Sequence, residues 1–205
     1  MIKDYGLIEK ALPDSLVEQI KSIFYTNNFL WKYNGESYPG DVSDEFYQFV
    51  HLFAQSDNKI QMGEGTPINQ KQQSNISPIT TISNFWHDVK PIIYFFEKET
   101  GFKIKTVKRV KANLTTKIKL SKKEYENTWH VDVDKIPGKK FISMVYYAID
   151  SDGDTILFND DKTIKAKSSP IAGNMFWFDS TSLHTATPPS LNKTRIISNF
   201  VFEVF

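Results

Sequence analysis

The chain has no cysteine. That excludes disulfides and every thiolate metal site, so any metal must be held by histidine and carboxylate. It has almost no net charge, with 25 Lys and Arg against 24 Asp and Glu. Wholesale electrostatic binding of nucleic acid is therefore not expected, although a local basic patch is compatible with these numbers. No apolar run approaches the roughly 18 residues of a membrane span, and Met1-Ile2-Lys3-Asp4-Tyr5 lacks the charged-then-apolar layout of a secretory leader. A soluble, cytoplasmic protein is the expectation. There is no internal repeat. Histidine is scarce, with four in 205 residues.

Aromatics are plentiful: 16 Phe, 9 Tyr and 4 Trp supply bulky material for one full core. The first hundred residues read as helices and irregular chain. Leu16, Ile20, Ile23 and Phe24 fall on one helical face behind Pro13 and Asp14. Trp31 to Gly40 reads as a loop or irregular strand. Asp44 to Phe53 reads as a short helix or strand. Residues 56–78, rich in Gln, Asn, Ser, Gly and Pro, read as a long loop, poorly ordered or lying over a site as a lid would, with disorder the commoner explanation of such a composition. Ile79 to Gly101 carries the longest helical pattern, with Pro91 inside it to kink or split it and Gly101 to end it. His87 has no partner at i+4 and reads as an ordinary surface residue.

From residue 102 the period changes from helix to strand. Val110, Ala112 and Leu114 share one face of an alternating run, and Arg109, Lys111 and Asn113 share the other. Thr128–Val133, Phe141–Ile149, Asp154–Phe158, Thr163–Lys167, Met175–Phe178, His184–Thr187 and Arg195–Phe205 follow, with turns at Ile136-Pro137-Gly138 and Asp152-Gly153. Ser121–Asn127 is a charged connection. The fold expected is mainly β with N-terminal helices (α+β), built as a double-stranded β-helix or jelly-roll barrel. Residues 1–104 would pack as a helical and irregular region on a barrel of residues 105–205.

Among the strands, Trp129-His130-Val131-Asp132 stands out. On a strand, residues two apart point the same way, so the His130 imidazole and the Asp132 carboxylate would converge. Alone the pair is weak. His184 follows 52 positions after Asp132 and is the only histidine beyond the pair; Arg195 opens the last strand. Two histidines, a carboxylate and a downstream arginine describe a facial non-haem iron site with a carboxylate-bearing cosubstrate. Asp134 is a rival ligand. Asp150-Ser151-Asp152-Gly153-Asp154 looks loosely like a calcium loop but lacks the twelfth-position Glu, and reads as a hairpin turn. The Lys-rich segments 103–123 and 135–140 read as solvated strand edges. Trp129, Phe176, Trp177 and Phe178 are core aromatics that could shield a cavity.

Over residues 105–205 the sequence resembles the Fe(II)/2-oxoglutarate-dependent dioxygenases, in particular their prolyl 4-hydroxylase-like branch. The resemblance rests on His130-Val131-Asp132, Val145 to Asp150, Gly153 to Phe158, Gly173 to Phe178, His184 and Arg195. Asp152-Gly153 stands where the family usually has Gly-Gly, and the Lys-rich Leu120 to Tyr125 replaces an aromatic-Gly approach to the first His. The resemblance implies Fe(II) on His130, Asp132 and His184, with Arg195 pairing with the far carboxylate of 2-oxoglutarate and Tyr147 joining it. Asn113, on the same interior face, would touch the cosubstrate or substrate. It also implies O2 as co-reactant, with ascorbate as an accessory reductant, and hydroxylation of a C–H bond of a protein (prolyl) side chain or a small molecule, with succinate and CO2 as coproducts. Two other readings stay open: an oxygenase acting on nucleic acid, and a non-catalytic jelly-roll binding module.

Overall fold

The alternation read over Thr106–Lys119 falls in the longest strand among the described residues, Ile104–Thr116, and the rest is arranged around it. The computed structural model describes residues 4–35, 47–56, 79–118 and 129–205. Along the described chain run β1 (Tyr5–Ile8), α1 (Asp14–Ile23), β2 (Lys32–Asn34), β3 (Gln48–Ser56), β4 (Ile79–Ile82), α2 (Trp86–Val89) and α3 (Pro91–Thr100). They are followed by β5 (Ile104–Thr116), β6 (Lys140–Tyr147), β7 (Thr155–Phe158), β8 (Ile164–Ser168), β9 (Met175–Asp179), β10 (His184–Ala186) and β11 (Thr194–Val204). The loop expected over 57–78 and the charged connection at Ser121–Asn127 lie outside the described residues.

The strands form two antiparallel sheets. The larger has the order β1-β9-β6-β11-β5-β3-β2, with β4 added on β3; the smaller is β10-β7-β8. β5 is therefore central, paired with β11 on one side and β3 on the other. Alternation sorts the large sheet into two faces. Ile142, Met144 and Tyr146 of β6, Met175 and Trp177 of β9, and Ile196, Phe200 and Phe202 of β11 point into the main core, where α1 and α3 cover them with Ile20, Ile23, Ile92 and Phe96. The opposite face meets the small sheet: Val145, Tyr147, Phe176, Phe178 and Ile197 pack with Leu157 of β7.

The helices follow their sequence signals. The Pro13 carbonyl accepts the Leu16 and Val17 amides and opens α1. Pro91, with no amide to donate, ends the first helical piece and takes the first position of α3, where that loss costs nothing. Gly101 closes α3 at φ 74°, a left-handed conformation that a side chain would strain.

Of the two readings of Asp44–Phe53, helix or strand, the strand holds from residue 48, and the helical pattern read from Ile79 is misleading at its start. Residues 48–56 form strand β3, and 79–82 are strand β4 rather than the start of a helix. β3 pairs with β5 and β4 with β3, and the backbone hydrogen bonds of these ladders override the local pattern; β3 also buries Phe53 and Ala54. The irregular strand read at Trp31–Gly40 is edge strand β2 over Lys32–Asn34. Residues 1–104 thus supply four strands as well as helices. No helix among the described residues is long and apolar enough to cross a membrane.

Candidate metal centre and its cavity

The His-x-Asp pair does not lie on a continuous strand. The expected strand Thr128–Val133 is reduced to one antiparallel bridge, His130 opposite His184; Thr128 lies outside the described residues. The two residues exchange amide-to-carbonyl bonds of 2.9 and 3.0 Å, which sets their rings side by side at 4.4 Å between centroids. The chain then bends, because the amides of Asp132 and Val133 both donate to the Ser180 carbonyl, at 3.0 and 3.2 Å. That bend, not strand alternation, aims Asp132 at the imidazoles.

The ligand-bearing atoms of His130, Asp132 and His184 all lie within 4.8 Å of one another. His184 Nε2 is 3.6 Å from Asp132 Oδ2. Metal–ligand bonds of about 2.1 Å at right angles would put neighbouring donor atoms about 3 Å apart, so small side-chain movements complete a facial set. The His184 tautomer is settled by the backbone: Nδ1–H donates to the Ser182 carbonyl at 3.0 Å, leaving the Nε2 lone pair facing Asp132. Metal-binding histidines are typically oriented in this way. Phe178 packs against the His184 ring at 4.6 Å between centroids.

Asp132 is buried and held from three further sides. Arg109 Nη2 donates to Oδ1 at 3.0 Å, Ser143 Oγ to Oδ2 at 2.7 Å, and Asn199 Nδ2 approaches Oδ2 at 3.4 Å. With its one proton committed to the carboxylate, Ser143 accepts from Ser180, whose Oγ is 2.9 Å away. Burial would push the Asp132 carboxyl up. The positive surroundings of His184, Arg109 and His130, with the Ser143 hydroxyl, outweigh burial and hold it well below the usual carboxylate range. It is therefore an anionic ligand at any physiological pH. Asp134 is exposed and outside this cluster.

His130 and Asp132 open onto a cavity of about 100 Å³. Lys111, Asn113 and Thr115 line it from β5, Arg195 and Asn199 from β11, Thr185 and Ala186 from β10, and Tyr47 and Gln48 from the β3 side. Arg195 is buried; its Nε donates to the Gly153 carbonyl at 2.7 Å and its Nη2 to Thr155 Oγ1 at 2.9 Å. Gly153 has no room for more: a Cβ there would meet the Thr187 carbonyl at 2.6 Å and Arg195 Cδ at 2.8 Å. In the Asp152-Gly153 turn, the glycine is the residue that packs on Arg195.

Asn113 lines the cavity as its strand face required. Its Oδ1 is buried without a partner, as are Thr115 Oγ1 and Asn199 Oδ1. Orphaned buried polar atoms are rare; three around one cavity fit a polar guest. The two amide oxygens accept and only the Thr115 hydroxyl can donate, so it is Thr115 with Arg195 that suits a dicarboxylate such as 2-oxoglutarate, while the triad suits a divalent ion. Tyr147 does not line the cavity. It is buried behind Thr155, and its hydroxyl is engaged by Thr155 Oγ1 at 3.0 Å and the Ser168 carbonyl at 3.2 Å. It touches Arg195 only through Thr155.

Several residues escaped the sequence reading. Arg109 and Lys111 lie in a Lys-rich stretch read as a solvated edge. With β5 flanked on both sides, Arg109 is instead partly buried and paired with Asp132, Lys111 lines the cavity and Lys108 is buried against Glu203 at 3.1 Å. Strand parity already put Arg109, Lys111 and Asn113 together; only the central position of the strand was missing. Ser143, Thr155, Ser180 and Asn199 carry no sequence signal of a role. Trp177 points into the main core, while Phe176 and Phe178 face the site. His87 is exposed. The carboxylates of Asp150, Asp152 and Asp154 diverge to the Ala172 amide, the 190–192 amides and Ser169, so they form no calcium loop.

No protein-family model matches the sequence, and no curated protein matches it. The fold has solved counterparts. A 2OG-Fe(II) oxygenase family oxidoreductase from Burkholderia pseudomallei superposes with a TM-score of 0.61 at 11% identity, covering 98% of this chain and 85% of the other. A prolyl-4-hydroxylase from Pseudomonas putida gives 0.55 at 12%, covering 98% and 92%. A viral collagen prolyl hydroxylase from Paramecium Bursaria Chlorella virus-1, solved as a 2OG complex, gives 0.55 at 14%, covering 99% and 97%. At such identities the likeness is one of fold.

Proposed function

We propose that this chain is a non-haem Fe(II), 2-oxoglutarate-dependent dioxygenase hydroxylating a C–H bond, with succinate and CO2 as coproducts. One observation carries the reading: three side chains of the kind that hold Fe(II) on one face converge at the wall of the cavity that Arg195 also lines. The likeness of fold to solved oxygenases supports it. We read the two facing sheets as a double-stranded β-helix barrel, with residues 105–205 as its catalytic core and residues 1–104 as an extension of the large sheet.

In this reading His130, Asp132 and His184 hold the metal. Bound there with its cosubstrate, it supplies the activation of O2 and the oxidative decarboxylation that drives hydroxylation. Arg195 takes the far carboxylate of 2-oxoglutarate. Its guanidinium is pre-oriented by Gly153 and Thr155, so little freedom is lost on binding. Tyr147 positions Thr155, which positions Arg195. Asn113 and Thr115 offer polar contacts along the cosubstrate, and Phe178 excludes water beside His184. Ser143 and Arg109 fix the Asp132 carboxylate, as outer partners do at metal sites.

The nucleic-acid alternative has less support, because Lys108 and Lys111 of the Lys-rich strand are taken up by Glu203 and the cavity. A prolyl side chain, the substrate class named for two of the solved counterparts, is one candidate for this chain. The test is anaerobic loading with Fe(II) and 2-oxoglutarate, then O2 and ascorbate, with succinate quantified. Iron-dependent succinate above background is expected. A protein that binds no metal and forms no succinate with any substrate pool overturns the reading.

A further inference from the structure

The cationic groups at the site outnumber the anionic one. Arg109, Lys111 and Arg195 reach or line the region of Asp132 and the cavity, and among the described residues Asp132 is the one carboxylate there. Asp154, near Arg195, is engaged by Lys167 at 2.6 Å. Arg109 and Asp132 neutralise each other. Arg195 is suited to one end of a dicarboxylate. Lys111 is left over: among the described residues its ammonium has no hydrogen bond or ion pair, and it lines the cavity. A divalent ion and a dicarboxylate cancel in charge, so loading the site leaves the imbalance in place.

Position separates the two cations. Antiparallel pairing sets Arg195 opposite Thr115 and Asn199 opposite Lys111. Lys111 is therefore four residues from the Arg195 rung, about 13 Å along the strand at about 3.3 Å per residue. Its own rung is that of Asn199, which reaches Asp132. Lys111 thus stands at the metal end of the cavity, where the reacting part of a substrate must come. Burial, with the Arg109 guanidinium adding to it, pushes the ammonium down to about 7. Asp132, already paired with Arg109, offsets this only in part, and an arriving anion relieves the remaining cost.

We propose that Lys111 is a specificity-determining residue that binds a carboxylate of the substrate, so that the substrate is a small organic acid rather than a neutral prolyl peptide. The proposal rests on the dioxygenase reading above. The cosubstrate's own near carboxylate is neutralised by the ion it would chelate; the acid that meets Lys111 is a second molecule.

The test is a set of titrations under anaerobic conditions. The first measures Fe(II) and 2-oxoglutarate binding by calorimetry and by the visible charge-transfer band. The second adds short carboxylic acids, including free amino acids such as proline, each with its matched amide, and an uncharged prolyl peptide. The wild type should bind at least one acid ten times more tightly than its amide or than the peptide. Lys111→Met should abolish that preference while keeping metal and 2-oxoglutarate affinity within about threefold, and Lys111→Arg should restore it in part. The proposal is overturned if no acid is preferred over its amide, if the preference survives Lys111→Met, or if that substitution weakens 2-oxoglutarate tenfold, which would make Lys111 a cosubstrate residue. A wild type that binds neither metal nor 2-oxoglutarate overturns the dioxygenase reading as well, and the first titration alone reveals it.

Discussion

Two of the triad side chains, His184 and Asp132, are held by neighbours. Ser182 takes the Nδ1 proton of His184, and Ser143 and Arg109 each engage one oxygen of Asp132. His184→Ala should lose metal affinity outright in a Mn(II) titration; retention at wild-type strength would reassign the ligand. Ser143→Ala removes only an outer partner and should weaken metal binding by about 10–100-fold. Arg195→Ala should keep the metal but weaken 2-oxoglutarate by roughly tenfold or more, since charge-assisted bonds to carboxylate are worth about 1.5–3 kcal/mol. Unchanged cosubstrate affinity would remove Arg195 from the role. The grouping of His130, Asp132 and His184, with Arg195 on the same cavity, was expected from residue type and order. The roles of Ser143 and Arg109 were not, because a serine or an arginine on a strand has many uses and only its long-range neighbour selects one.

At the scale of elements, the turn before β7 organises the approach to β11. Asp152 gathers the amides of Ser190, Leu191 and Asn192 and the Ser190 hydroxyl at 2.6–2.9 Å, so the chain enters β11 with Arg195 in place. Slight burial would raise its carboxyl, but the Ser190 hydroxyl and those amides hold it well below the ordinary range. A carboxyl depressed in the fold stabilises it above the unfolded value, near 3.9, and that stabilisation is lost as pH falls further. Asp152→Asn should therefore lower the melting temperature at pH 7 and flatten its decline between pH 5 and 3, read by calorimetry. An acid limb as steep as wild type would show that another carboxyl dominates. The hairpin turn was legible in Asp152-Gly153; its capture of residues 190–192 was not, since nothing local in sequence connects segments about forty residues apart.

The whole molecule is two sheets whose facing surfaces hold the site, with a helical layer on the far side of the large sheet. Ligand set, arginine and cavity wall come from β3, β5, β10, β11 and the 129–133 segment. Binding is thus coupled to global stability. Metal and 2-oxoglutarate each at about 100 times their dissociation constants should add roughly 2.7 kcal/mol apiece. For a chain of this size each kcal/mol is worth about 2–4 °C, so a combined rise of order 10 °C is expected in a thermal melt. His184→Ala should show none of the metal's share.

The sequence alone determined the periodicities of β5 and β11, which face of each strand is apolar, the division of one helical pattern by Pro91, and the chemical make-up of a triad with a downstream arginine. These are local properties, set by side-chain type and a repeat of two or of about 3.6. The tertiary structure decided that residues 48–56 and 79–82 are strands and that the His-x-Asp segment is a bridge followed by a bend. It also decided that Tyr147 stands behind Thr155 and that Lys108, Arg109 and Lys111 of β5 are drawn into the fold rather than solvated. The physical reason is common to all four. Backbone pairing and burial are set by residues scores of positions away, and a charge or a hydroxyl takes its meaning from the neighbours that such pairing brings.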